Sequence, residues 1–124
     1  MVIFASAIVL ADGGFYGSVT YKNCECTTLP KDNVEIYQEL SNQSYFCHVQ
    51  CNAGQGSYNT RVCDPPHVYP PGWYVLHVAV SRESNCWGGH PTPGIPVRVY
   101  HGLDWQEVNL VVEGPTPKPR DGDD

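Results

Sequence analysis

The sequence predicts an all-β domain: an antiparallel sandwich of seven strands, stapled by disulfides and preceded by an extra N-terminal strand. Two observations predict this class. Short runs in which apolar and polar residues alternate are separated by turn signals, and the 124 residues include 11 Pro and 12 Gly. Six cysteines in so short a chain are typical of a disulfide framework. The length fits a single domain.

The charge balance narrows the choice of partners. Only 16% of the residues are charged, and the net charge is −6. Nucleic acids and anionic membrane surfaces bind proteins through Lys and Arg, so an acidic excess argues against both. The apolar run at the N-terminus covers residues 2–11, whereas a transmembrane helix needs about 20 residues. We therefore expect no nucleic-acid partner and no membrane-spanning segment.

Three segments differ in composition. Residues 1–13 are an apolar strand followed by a glycine-bearing linker. Residues 14–114 carry the strand pattern and form the sandwich domain. Residues 115–124, PTPKPRDGDD, are rich in proline and charge, which is typical of an extended tail.

The predicted strands follow one another at short intervals, over residues 15–21, 33–39, 44–51, 57–62, 73–80, 95–101 and 106–114. In the second strand, Val34 and Ile36 share one face. In the third, the odd-numbered positions from Tyr45 to Cys51 share one face. Because side chains alternate between the two faces of a strand, both sets should face the core.

The fifth strand, WYVLHVAV over residues 73–80, has the strongest pattern of the chain. Tyr74, Leu76 and Val78 fall on one face, and Trp73 falls on the other. The segment before it, residues 63–72, holds four prolines. Proline cannot donate to a strand ladder, so this segment is a loop rather than central sheet. Between the fifth and sixth strands, the polar segment SRESNCWGGHPTPG is a second long loop.

The cysteines are Cys24, Cys26, Cys47, Cys51, Cys63 and Cys86. They indicate up to three disulfides and an oxidising compartment. Fifteen pairings are possible. We favour bridges from the Cys24/Cys26 region to the 47/51 and 63/86 regions, because Cys24 and Cys26 lie too close along a strand to pair together. Zinc is the alternative, with histidines near the cysteines. Against it, Cys24 and Cys26 are closer together than the cysteines of a zinc knuckle, and both close pairs lie in or beside predicted strands.

Four stretches resemble a known group of folds. They are GSV at residues 17–19, VEI at 34–36, PPGWYVLHV at 70–78 and VNL at 108–110. Together they resemble prealbumin-like sandwiches, which include the carboxypeptidase regulatory-like, transthyretin-like and collagen-adhesin B-type domains. The resemblance spans residues 14–114 and implies an Ig-like sandwich that serves as a stalk, adhesin repeat or accessory module. The six cysteines and the second long loop depart from the family pattern.

No catalytic motif supports an enzyme. The sequence contains no G-x-S-x-G, H-E-x-x-H, P-loop or dinucleotide-binding pattern. His48, His77 and His101 fall within predicted strands, where structural or surface roles are the common ones. We therefore predict no catalytic residue, no metal site and no cofactor.

The N-terminal segment raises the main functional question. Its apolar side chains, which we call the donor residues, are Val2, Ile3, Phe4, Ala5, Ala7, Ile8, Val9 and Leu10. A strand that is apolar on both faces must lie between layers or in a groove of another chain. We predict that it inserts into the sandwich of the next copy and completes its sheet. Such head-to-tail donation does not close on itself and builds a filament.

The alternative function is a secreted monomeric binding module for a carbohydrate or a protein. In that case residues 1–11 are a signal peptide cleaved before Asp12, although no Lys or Arg precedes the apolar run. A sugar would contact Asp104 and Trp105 together with Trp87 and Tyr69, because aromatic rings stack on sugar faces.

Three positions are candidate glycosylation sites. Asn42 opens an Asn-Gln-Ser sequon on a predicted loop. Thr92 and Thr116 are each flanked by prolines, which suits O-linked glycans. Glycans are the only added groups we expect, and the expected location is extracellular or on the cell surface.

Overall fold

The computed structural model describes residues 13–26, 32–63, 68–87 and 92–115. Within these ranges there are nine strands and one short 3₁₀-helix, Thr60–Val62. The strands are β1 (Gly14–Lys22), β2 (Asn33–Gln38), β3 (Gln43–His48), β4 (Gln50–Asn52), β5 (Gln55–Asn59), β6 (Gly72–Ala79), β7 (Ile95–Val99), β8 (Trp105–Glu107) and β9 (Leu110–Glu113). The predicted all-β class is confirmed. In the part of the chain described here, no helix is long and apolar enough to cross a membrane.

The strands form two packed sheets, as predicted for a sandwich. In the first sheet the order is β4-β5-β1, and both β8 and β9 pair along the other side of β1. In the second sheet the order is β3-β2-β6-β7. Side chains from the inner faces of both sheets form one buried core.

The strand count and direction differ from the prediction of seven antiparallel strands. The predicted strand 44–51 is two strands in different sheets, divided at Val49, whose N–H donates to the Asp32 carbonyl at 2.8 Å. The predicted strand 106–114 is divided near Asn109 into β8 and β9, and both pair with β1 in parallel. The alternation of apolar and polar residues shows on which face of a strand a side chain lies. It does not show where the chain passes from one sheet to the other, or whether two neighbouring strands are parallel or antiparallel.

The inner faces carry the side chains that alternation assigned to them. Tyr74, Leu76 and Val78 of β6 are at most 2% exposed. Phe15, Tyr69 and Tyr74 form an edge-to-face cluster with ring centroids 5.1–5.7 Å apart. Burial raises the pKa of Tyr74 to about 12. Because Tyr69 belongs to this core, the expectation that it contacts a sugar is wrong.

Three disulfides fasten the sandwich. They join Cys24 to Cys86, Cys26 to Cys51, and Cys47 to Cys63. The first two connect the regions that the spacing favoured. All six sulfurs are bridged, so none is left as a thiolate ligand for zinc, and the zinc alternative is wrong. The disulfides indicate an oxidising, extracellular environment.

The two ends of the sandwich are held by different contacts. At one end, buried Asp32 accepts hydrogen bonds from the Tyr21 hydroxyl and the Ser81 N–H, both at 2.8 Å. At the other end, just before β1, the Gly13 N–H donates to the Gly102 carbonyl at 2.8 Å. The N-terminal segment is therefore joined to the domain at the end opposite Asp32.

Candidate functional site

A carboxylate, an imidazole and a hydroxyl meet on the outer face of the second sheet. The His77 Nε2 atom lies 2.5 Å from Glu35 Oε1, and its Nδ1 atom lies 3.3 Å from Thr92 Oγ1. Hydrolase triads contain the same kinds of group in this order. The Thr92 hydroxyl, however, donates to the Val78 carbonyl at 2.7 Å. Its proton points away from the imidazole, so the hydroxyl anchors a loop to β6 and is not activated as a nucleophile.

Glu35 links three strands of the second sheet. Burial raises its pKa, but hydrogen bonds with Ser44 and His77 outweigh burial and leave the pKa below its usual value. Ser44 belongs to β3, Glu35 to β2 and His77 to β6. The carboxylate therefore acts as a structural clamp across the sheet.

Two of the predicted glycosylation positions lie in the described residues. Asn42 is exposed in the turn before β3 and has a left-handed backbone with φ of 57°, which Asn tolerates better than most residues. Its side-chain oxygen accepts a hydrogen bond from the Tyr37 hydroxyl. The Thr92 hydroxyl donates a hydrogen bond to the Val78 carbonyl of β6. Thr116 and all of the donor residues lie outside the described residues, so these positions stay predictions.

The tryptophans suggested as sugar contacts are stacked against arginines. The Arg61 guanidinium lies 4.7 Å from the ring centroid of Trp105, and that of Arg82 lies 5.7 Å from the ring of Trp87. Each ring thus has one face engaged in a cation–π contact. At most the opposite face of each ring is left for stacking on a sugar.

The edge of the second sheet at β7 is closed. The Arg98 carbonyl points away from β6 and accepts a hydrogen bond from the Gln106 side-chain amide at 2.8 Å. The main chain of Pro96, two residues earlier, faces the same way, and proline has no N–H that could donate to another strand. A proline and an occupied carbonyl both hinder the addition of a further strand.

The opposite edge of the second sheet, at β3, is open. β3 pairs with β2 along six residues, and among the described residues no strand pairs with its other side. The edge strands of the first sheet are shorter, with three residues each in β4 and β8 and four in β9. β3 contains no proline, Asp, Glu, Lys or Arg. Long, uncharged edges of this kind are the ones that accept another strand.

Three residues of β3 direct their main-chain groups outward. The hydrogen bond from the Val49 N–H to the Asp32 carbonyl shows that these two residues form a hydrogen-bonded pair. Along an antiparallel ladder, hydrogen-bonded pairs alternate with pairs whose main-chain groups point away from the partner strand. By that alternation the N–H and C=O groups of Ser44, Phe46 and His48 face away from β2. The Phe46 side chain is 51% exposed and adds an apolar surface beside the open edge.

An aromatic patch lies on the outer face of the second sheet, near β7. The Arg98 guanidinium lies 5.7 Å from the Trp73 ring centroid and 5.0 Å from that of Tyr100. Trp73 is 46% exposed and Tyr100 is 64% exposed. Trp, Tyr and Arg are the residue types that most often dominate protein interfaces. We call these three residues the aromatic patch.

A groove of about 490 Å³ lies on the outer face of the first sheet. It is lined by Tyr16, Gly17, Ser18, Gln50, Ser57, Tyr58, Asn59 and Glu107. Every lining residue except Gly17 carries a hydroxyl, amide or carboxylate group, and the exposed ring of Tyr16 lies among them. We call this site the polar groove. The sequence alone does not reveal this groove, because its residues come from four strands that only the observed register brings together.

In comparisons with protein-family models, with curated proteins and with solved structures, no match to this chain was found.

Proposed function

We propose that the chain is a glycosylated structural subunit of an extracellular filament that assembles head-to-tail. The donor residues of one copy add as a strand to β3 of the next copy. The observation that carries this proposal is the open edge of β3, at which Ser44, Phe46 and His48 direct main-chain groups outward. Because β7 is closed, β3 is the one long edge of the second sheet left for such addition in the described part of the chain.

The dimensions and energies suit this addition. The nine residues 2–10 would extend over about 30 Å as a strand, whereas the six residues of β3 extend over about 20 Å. Each new main-chain hydrogen bond contributes about 0.5–1.5 kcal/mol, and each apolar side chain that becomes fully buried contributes about 1.5–3 kcal/mol. Association costs about 4–15 kcal/mol. Four or five apolar side chains together with the hydrogen bonds match or exceed that cost.

The contact is asymmetric, which is why it propagates. One copy supplies the donor residues and the next supplies β3, so the interface is heterologous and builds an open chain of subunits.

A glycan on Asn42 would lie in the turn that leads into β3 and suits an exported protein. We also assign the domain to the prealbumin-like sandwiches, a proposal supported by the buried alternation of Tyr74, Leu76 and Val78 in the motif strand β6.

The test removes the donor and then supplies it separately. The full chain should form particles longer than one subunit by negative-stain electron microscopy and sedimentation. The variant that lacks residues 2–10 should remain a folded monomer, and a synthetic peptide of residues 1–12 should bind to it. Continued polymerisation of the deletion variant would overturn the proposal.

The second candidate is a secreted monomeric module that binds a protein through the aromatic patch. The specific observation in its favour is the stacking of Arg98 between two exposed rings. Mass spectrometry of the exported protein separates the two functions. A chain that starts at Asp12 has lost the donor residues and supports the module, whereas a chain that retains them supports the filament.

A further inference from the structure

We infer that the polar groove is a binding site for a neutral oligosaccharide. The inference is independent of filament assembly, because the groove lies on the first sheet and the open edge belongs to the second. It concerns a site whose residues are spread over β1, β4, β5 and β8.

The groove crosses four adjacent strands. Gln50 lies on β4, Ser57 and Asn59 on β5, Tyr16 on β1, and Glu107 on β8. These strands are neighbours in the order β4-β5-β1-β8. Three strand spacings extend over about 14 Å, which is room for a short chain of sugar rings. The volume of about 490 Å³ lies within the range of known ligand sites, about 300–1,000 Å³.

The register brings complementary groups face to face. Tyr16 lies opposite Asn59 on β5 and beside Glu107 on β8, and Ser18 lies opposite Ser57. Amide and hydroxyl groups can both donate and accept, and the carboxylate accepts. Neighbouring hydroxyls of a sugar need this mixture, because each of them also donates and accepts.

Tyr16 supplies the apolar contact that a sugar ring needs. It is 39% exposed, and it lies among the polar groups rather than apart from them. The C–H face of a pyranose packs on an aromatic ring, while the hydroxyls at its rim reach polar side chains. One ring surrounded by amides, hydroxyls and a carboxylate is therefore suited to a saccharide rather than to an apolar ligand.

The charge of the lining selects neutral sugars. Among the eight lining residues, Glu107 is the only charged side chain, and none is Lys or Arg. A phosphate, sulfate or uronate would meet this carboxylate without a compensating cation, which disfavours anionic ligands. The net charge of −6 acts in the same direction.

Isothermal titration calorimetry on the full chain tests the site. The probes are neutral hexasaccharides of β-1,3-glucan, β-1,4-glucan, xylan and chitin, with hexagalacturonate as the anionic comparison. We expect at least one neutral probe to bind and hexagalacturonate not to bind. Tyr16→Ala should weaken binding about tenfold or more, Glu107→Gln should weaken it by several-fold to tenfold, and Tyr16→Phe should retain most of the affinity.

Leu40→Ala is the control, since it shortens an exposed apolar side chain that lies outside the polar groove. It should leave the affinity unchanged. Thermal melts of each variant should match the parent, because Tyr16, Leu40 and Glu107 are all exposed. The inference is overturned if no neutral probe binds, if Tyr16→Ala binds as well as the parent, or if only Leu40→Ala weakens binding.

Discussion

The two edges of the second sheet, β3 and β7, have opposite properties. β7 lacks an outward N–H at Pro96, and the outward carbonyl of Arg98 is occupied by Gln106. β3 has neither feature, and the exposed ring of Phe46 lies beside its outward main-chain groups. Proteins usually block exposed edges to avoid unwanted strand addition. One blocked edge and one open edge in the same sheet therefore support the proposed addition of a strand at β3.

The largest effect should come from closing β3. Phe46→Pro gives β3 the same missing N–H that Pro96 gives β7, without removing a hydrogen bond to β2. We expect it to abolish filament formation by the full chain, as measured by sedimentation and electron microscopy. Phe46→Val is the matched control, because it removes the same ring but keeps the N–H, and it should still assemble. Filaments of normal length from Phe46→Pro would contradict the role of β3.

The second-largest effect should come from removing the disulfide that holds β3. Cys47 of β3 is bridged to Cys63, whereas β7 contains no cysteine. Replacing both cysteines by serine should lower the free energy of unfolding by about 2–5 kcal/mol. Urea denaturation under non-reducing conditions measures the loss. A change below about 1 kcal/mol would mean that the bridge contributes little to holding this edge.

A smaller effect is expected from opening β7. In the variant that lacks residues 2–10, Pro96→Thr combined with Gln106→Ala restores an outward N–H and frees the Arg98 carbonyl. Weak, concentration-dependent self-association should then be visible by analytical ultracentrifugation, since a second edge is available. The deletion variant without these substitutions is the control and should sediment as a monomer. If the opened variant also stays monomeric at high concentration, Pro96 and Gln106 are not what closes β7.

The smallest effect should be the pH dependence of the clamp at Glu35. The pKa of Glu35 in the folded chain is lowered. The ionised carboxylate therefore stabilises the fold at pH values above its pKa in the unfolded chain, which is about 4.3. This stabilisation is lost as the pH falls through the pKa of Glu35 in the folded chain. Glu35→Gln lacks this titration. The difference in melting temperature between the parent and Glu35→Gln should therefore shrink from about pH 6 to about pH 3. A difference that stays constant over this range would contradict the clamp.

Much of the fold could be predicted because strand alternation is a local property. The buried faces of β2, β3 and β6 follow directly from residues such as Ile36, Cys47 and Leu76. The breaks at Val49 and Asn109 could not be predicted, since they depend on hydrogen bonds to Asp32 and Ser18 that lie far away in the sequence.

The candidate sites were predictable only in part. The edge at β7 could have been predicted from Pro96, because proline within a sheet is found on edge strands. Its partner in closing that edge, Gln106, is ten residues away and reaches Arg98 only through the fold. The polar groove likewise depends on register, since Tyr16 and Asn59 become neighbours only when β1 and β5 pair.

Hydrogen exchange resolved to single residues tests the central claim most directly. It compares the amides of the assembled full chain with those of the monomeric variant that lacks residues 2–10. In the monomer, the outward amides of Phe46 and His48 should exchange quickly, and on assembly both should become strongly protected while β7 stays unchanged. Protection that appears along β7 or along neither edge, in particles shown to be polymers, would contradict strand addition at β3.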